Sequence, residues 1–253
     1  MIMKIKELIS LLEQEIPKEL SENWDNDGAM IVPNSNAEVK KVLVALDCTG
    51  EAIDEAINLG CNVIVTHHPL VFRPVNRILD TNPTAKRMIS CIENGIAVLS
   101  YHTRLDSMDG GVNDCLAERI GLYNAEAFVP YGRVGEFGYE RDFADFIEDI
   151  EKRLDEKPQS IVNRGGSVKK VALVSGVGKG EVLAAFNTGA DTYLTGEASH
   201  DALIEAAELG MNMVCFTHHA TERVVLPALK EIVEECGAEA VVFDFDTAVE
   251  YGV

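Results

Sequence analysis

The chain has 253 residues and six histidines, all in four short segments: His67 and His68 in THHPL, His102 in YHTRLD, His200 in TGEASH, and His218 and His219 in THHATE. Each segment follows an apolar strand-like run: VIVT, IAVLSY, TYLT or MVCFT. Imidazole carries protons near neutral pH and ligates divalent ions. Carboxylates stand beside it: Asp106 follows His102 by four residues, and Glu222 follows His218 by four. If a helix starts near His219, His218 and Glu222 share one face, one turn apart. Histidines and carboxylates, with Cys215 the one thiol nearby, suit Zn, Mn, Fe or a similar divalent ion. Three histidines and two carboxylates exceed the needs of one tetrahedral ion, so the set allows a two-metal site.

The adjacent pair His67–His68 restricts the geometry. Neighbouring side chains within a strand point to opposite faces. Two adjacent histidines reach one locus only after the strand has ended. Pro69 agrees, because it cannot continue a central ladder and it keeps His68 extended. In open α/β sheets, ligands bind beyond the carboxyl ends of strands. Four histidine-bearing strand ends could therefore converge. Taken singly, His200 reads as a non-ligand and His219 as solvent-facing.

Strand–helix alternation supplies those ends. The segment KKVLVALDCTGEAIDEAINLGCNVIVTHH (40–68) reads as strand, helix, strand, and 169–200 repeats Lys-Lys-Val, a strand, a Gly-Glu helix start and a second strand. A further echo sets EAINLGCNVIVTHH (55–68) beside EAAELGMNMVCFTHH (205–219). The expectation is an α/β protein of two similar lobes with mixed sheets, divided as 1–126 and 127–253. The connector 127–168 carries YGRVGEFG, read as a glycine-rich turn segment, and an acidic helix. The strand EAVVFDF (239–245) could return to the first sheet. SGVGKG (175–180) lacks full phosphate-loop spacing and reads as a tight strand-to-helix turn, with Lys179 the phosphate contact if one binds. Trp24 reads as a packing anchor.

The formal charge of −20 argues against a global nucleic-acid footprint. The six cysteines are scattered, with no CxxC pair, and fit buried free thiols in a reducing cytosol. No apolar run is long enough to span a membrane, and residues 1–20 read as an amphipathic helix. A soluble, cytoplasmic protein is expected.

The motifs ENWDNDG (22–28), THHPLVF (66–72), HTRLDSMDGGVNDCLA (102–117), GRVGEF (132–137), TGEASH (195–200) and THHATE (217–222) together resemble the Nif-three-like family, the GTP cyclohydrolase I type 2 homologues. The resemblance covers nearly the whole chain. It implies a two-lobed α/β fold, a homohexameric ring built as a trimer of dimers, and a dinuclear metal centre facing an internal cavity. By motif, the ligands would be His67, His68, Asp106, His218 and Glu222. His102 and His200 would sit close by and contact substrate or support the ligands. Two positions depart from the family pattern: His219 stands where tyrosine is usual, and Asp201 where a second histidine is common. The long insert of larger members is absent.

The resemblance implies a dinuclear metal hydrolase acting on a small molecule, with GTP, other nucleotides and phosphoesters as candidates. Asp106 or Glu222 could bridge the ions, and His102 or His200 could move the proton. The alternative is a non-enzymatic metal-binding ring that works through protein partners.

Overall fold

The computed structural model describes residues 2–245. The expected lobes, 1–126 and 127–253, include Met1 and 246–253, which lie outside the described residues. Two compact units emerge. One runs to Met108 and resumes at Leu226, and the other runs Asp109–Val225.

The first unit contains α1 (Ile5–Glu15), β1 (Gly28–Ile31), β2 (Val42–Ala45), α2 (Gly50–Asn58), β3 (Val63–Thr66), α3 (Pro83–Glu93), β4 (Ala97–Ser100) and α4 (Thr103–Ser107). The second contains α5 (Val112–Ile120), β5 (Tyr123–Val129), β6 (Gly132–Asp142), α6 (Phe143–Leu154), β7 (Ser160–Val162), β8 (Ser167–Val177), α7 (Val182–Asn187), β9 (Thr192–Glu197), α8 (His200–Leu209), β10 (Asn212–Cys215) and α9 (His218–Glu222). The chain then returns to the first unit as α10 (Leu226–Glu235) and β11 (Ala240–Val242).

The first sheet has the order β1-β4-β3-β2-β11, with β1 antiparallel to β4 and the other pairs parallel. Leu43, Ile64 and Val98 face a core shared with Ala52, Ile53 and Ala56 of α2 and Cys91 of α3. The alternate residues Val42, Val44, Val63 and Val65 are also fully buried. Both faces are covered, which is why these strands read as unbroken apolar runs. Thr49 caps α2 through the Ala52 amide, and Asn82 caps α3 ahead of Pro83.

The second sheet has the order β5-β6-β8-β9-β10-β7, with β8, β9 and β10 parallel and the flanking pairs antiparallel. Both sheets are therefore mixed, and the two lobes share a core of three sequential parallel strands, β2-β3-β4 and β8-β9-β10. Lys-Lys-Val stands at the start of β2 and within the first half of β8, the first strand of each set. The Thr-His-His echo does not follow this equivalence. Thr66-His67-His68 ends the middle strand of its set, whereas Thr217-His218-His219 follows the last. The true counterpart of His218…Glu222 on α9 is His102…Asp106 at α4, each pair following the third strand.

YGRVGEFG is not a turn: most of it forms the first half of β6, paired with β5 and β8. Its glycines permit close backbone approach, since a Cβ on Gly135 would lie 2.9 Å from the Tyr123 carbonyl oxygen. Among the described residues, no helix is long and apolar enough to cross a membrane.

Candidate metal centre

Parallel register sets the first cluster. Ala45 of β2 lies opposite Thr66 of β3, and Thr66 opposite Ser100 of β4, so the three strands end level. The next residues of each chain segment, Asp47, His67–His68 and His102, emerge at one carboxyl edge. The Thr66 hydroxyl fastens this edge, lying 2.8 Å from Ser100 Oγ and 2.8 Å from the His68 carbonyl.

His67, His68 and His102 come together: each offers a ring nitrogen, and these lie within 4.8 Å of one another. Each ring is held through Nδ1 by an oxygen. His67 Nδ1 is 3.1 Å from the Tyr101 carbonyl, His68 Nδ1 3.1 Å from Asp47 Oδ1, and His102 Nδ1 2.9 Å from Asp25 Oδ1. An N–H donated through Nδ1 leaves the Nε2 lone pair for another partner, the usual way a protein orients metal-binding imidazoles. Asp106 joins from α4, its Oδ1 3.6 Å from His67 Nε2.

Asp25 anchors this cluster from beneath. Its side chain is fully buried and also accepts from the Thr103 hydroxyl at 2.7 Å and the Thr103 amide at 3.1 Å. Burial works against ionisation, but the hydrogen bonds from His102 and Thr103 outweigh it and hold the carboxyl well below the usual range. The next residue, Arg104, is fully buried and pairs with Asp27 at 2.8 and 2.9 Å and with Glu13 at 2.9 Å, fixing α4 between His102 and Asp106. Trp24 is 62% exposed, so it is not a packing anchor; its ring meets Phe72 and His102 edge-on at 6.2 and 6.3 Å.

The second unit repeats the arrangement. Val174, Thr195 and Cys215 lie level across β8, β9 and β10. Thr217 caps α9 through the Ala220 amide, so the helix begins at His218. His218 and Glu222 then share one face, with Nε2 3.0 Å from Glu222 Oε1. His218 Nδ1 lies 2.9 Å from Glu197 Oε1 at the end of β9. Gly176 makes room: its φ is +54°, and a Cβ there would overlap Glu222 Oε1. This close approach, rather than a phosphate cradle, accounts for Gly176, the first of the three glycines in SGVGKG. Lys179 follows β8 in the turn before α7.

His200 is exposed as the first residue of α8, and among the described residues it joins neither donor cluster. His219 is half-buried on α9, and Asp201 is hydrogen-bonded to Ser199. Sequence reasoning passed over Asp47 and Glu197, and it left Asp25 without a supported role.

The donors fit a divalent ion. A neutral imidazole has one N–H. With Nδ1 donating, the Nε2 lone pair of His218 faces a carboxylate at 3.0 Å and that of His67 faces one at 3.6 Å. Two lone pairs repel at such distances, and a cation held between them converts the repulsion to attraction. Nitrogen and carboxylate oxygen without sulfur match Zn, Mn or Fe.

Comparison with known proteins agrees with this architecture. The family described as "Duf34/NIF3 (NGG1p interacting factor 3)" matches residues 3–249. A Clostridium perfringens protein named "GTP cyclohydrolase 1 type 2 homolog" is 34% identical, covering 92% of each chain. "NGG1-interacting factor 3" of Saccharomyces cerevisiae is 30% identical over 96% of this chain and 95% of its own. The crystal structure of a Bacillus cereus protein related to NIF3 superposes with a TM-score of 0.93 at 25% identity, covering 100% of this chain and 99% of that one. Matched along nearly its whole length in sequence and in fold, the chain belongs to the DUF34/NIF3 family.

Proposed function

We propose that the protein is a divalent-metal-dependent hydrolase with two ions per chain, for which His67, His68 and Asp106 in one unit and His218 and Glu222 in the other are the ligands. One observation carries this reading: four imidazoles have Nδ1 tied to an oxygen, and two of them present Nε2 to a carboxylate. When bound, the ions would polarise a substrate oxygen or imine-like carbon and acidify a water. Asp25 orients the His102 ring, which can hold a proton at Nε2 next to the ligands. His200, exposed at the start of α8, is the second candidate for proton transfer. The substrate is a small molecule, with GTP first in view of the name of the Clostridium relative and other nucleotides and phosphoesters behind it. The working form is a cytoplasmic homohexamer, a trimer of dimers; a monomer by light scattering at micromolar concentration would refute the ring.

The test is a metal-reconstituted screen of GTP and a phosphoester panel, run beside His68→Ala and Glu222→Ala. Metal-dependent product from the wild type alone supports the hydrolase. Silence across the panel with metal bound favours a second reading, a metal-binding ring acting through protein partners. The name of the yeast relative, an interacting factor, speaks for that alternative.

A further inference from the structure

The segment between β3 and α3, with the start of α3, lines an open cavity of about 700 Å³, within the range of small-molecule sites. It begins at Pro69 and Leu70, immediately after His68, and Arg73, Arg77 and Arg87 line it. In a chain of net charge −20, residues 69–87 carry four basic side chains and a single acidic one, Asp80. Among the described residues, no carboxylate is paired with any of the three guanidinium groups. Elsewhere four arginines are paired with carboxylates: Arg104 with Asp27 and Glu13, Arg133 with Asp114, and Arg141 and Arg153 with Asp149. Arg87 is held by the Cys48 carbonyl at 3.0 Å and Thr84 Oγ1 at 3.4 Å, so one of the charges is fixed in place. Arg73 and Arg77 are exposed.

An apolar wall accompanies the charges. Phe72 and Leu79 line the same cavity and are 45% and 51% exposed. Phe72 also lies edge-on to His102 at 6.1 Å and to Trp24 at 6.2 Å. The cavity therefore runs up to the imidazole cluster, with an aromatic rim between them. Guanidinium forks match phosphate oxygens in pairs, and exposed rings stack on flat heterocycles.

We infer that this cavity is the phosphate subsite for a mononucleotide-sized polyphosphate ester, with Arg73, Arg77 and Arg87 gripping the phosphates and Phe72 and Trp24 contacting its ring. The inference rests on the small-molecule reading above and narrows its candidates to phosphate-bearing mononucleotides, with the residues that would hold the phosphates. It requires no bound metal.

Trp24 is the sole tryptophan and reports on the rim. The protein, stripped of divalent ions by chelator, is titrated with inorganic triphosphate, GTP, guanosine and a short single-stranded oligonucleotide. Trp24 fluorescence and calorimetry give the affinities. GTP and triphosphate should bind, with guanosine at least about tenfold weaker than GTP. Arg73→Ala and Arg77→Ala, both exposed substitutions, should each weaken GTP about tenfold while leaving guanosine unchanged. Guanosine binding as tightly as GTP, affinity unmoved in both arginine variants, or an oligonucleotide preferred over GTP would each overturn the assignment. Chelation removes turnover from the measurement. An inactive protein with arginine-dependent binding would sink the hydrolase alone, and hydrolysis with arginine-independent binding would sink the subsite alone.

Discussion

Arg104→Met tests whether α4 is held by charge. Arg104 Nε and Nη2 reach the two Asp27 oxygens at 2.8 and 2.9 Å, and Nη1 reaches Glu13 at 2.9 Å and the Ile16 carbonyl at 2.8 Å. Methionine keeps much of the volume and strips every donor. Glu13, 31% exposed, turns to water; Asp27, at 2%, cannot, and retains the Ser21 hydroxyl at 2.7 Å. Removing one partner of a buried ion pair costs about 3–5 kcal/mol. For a chain of this size that lowers Tm by about 6–20 °C. Because Arg104 sits between His102 and Asp106, metal affinity should fall in the molecules that stay folded. Thermal melting of the chelated protein measures the first effect, and calorimetric metal titration below the transition measures the second. Arg104→Met/Asp27→Leu removes both charges and should recover more than half of the lost stability. A single variant within about 1 kcal/mol of wild type, or a double variant less stable than the single, refutes the reasoning.

Other outcomes follow from the same geometry. Gly176→Ala should displace Glu222 and cost about 1–2 kcal/mol from the left-handed backbone, with metal affinity at least about tenfold lower by titration. Asp25→Asn should loosen His102 and shift the pH–rate profile of any metal-dependent turnover, while metal stoichiometry stays as in the wild type. Asp149 is partly buried, which raises its carboxyl, but Arg141 and Arg153 lower it further, to below the ordinary carboxylate value. Its contribution, below about 1 kcal/mol, is present above the unfolded pKa near 4 and is lost as pH falls through the lower folded value. Asp149→Asn should therefore destabilise at pH 7 and match wild type under strong acid in denaturant melts. Adding Zn at about 100 times its Kd should stabilise the chelated protein by about 2.7 kcal/mol per site, read as a rise in Tm.

The strand ends were legible because their chemistry is local. A β-branched run closed by His-His-Pro has one sensible reading, and the parallel strands at VLVA and VIVT formed where their apolar runs lay. The fold class followed from strand–helix alternation. The carboxylates behind the imidazoles were not legible: Asp25, Asp47 and Glu197 are three among 42 acidic residues, and only register shows which of them reaches a ring. The Thr-His-His echo misled because three residues carry no record of strand order; strand pairing makes His218…Glu222 the topological counterpart of His102…Asp106. YGRVGEFG was read as a turn because glycine usually breaks a strand, yet here neighbouring backbone fills the space a Cβ would take. The arginines of 69–87 carry no motif of their own, and the total charge of −20 hides a local basic cluster.

The most direct test of the central claim is metal content with ligand spectroscopy. Wild type is reconstituted with Zn or Mn, desalted and analysed for metal per chain, and its donors are read by X-ray absorption. Two ions per chain with imidazole nitrogen and oxygen donors and no sulfur, falling in His67→Ala and in Glu222→Ala, is the predicted result. Less than about one ion per folded chain, a sulfur shell, or full occupancy in both variants would contradict it.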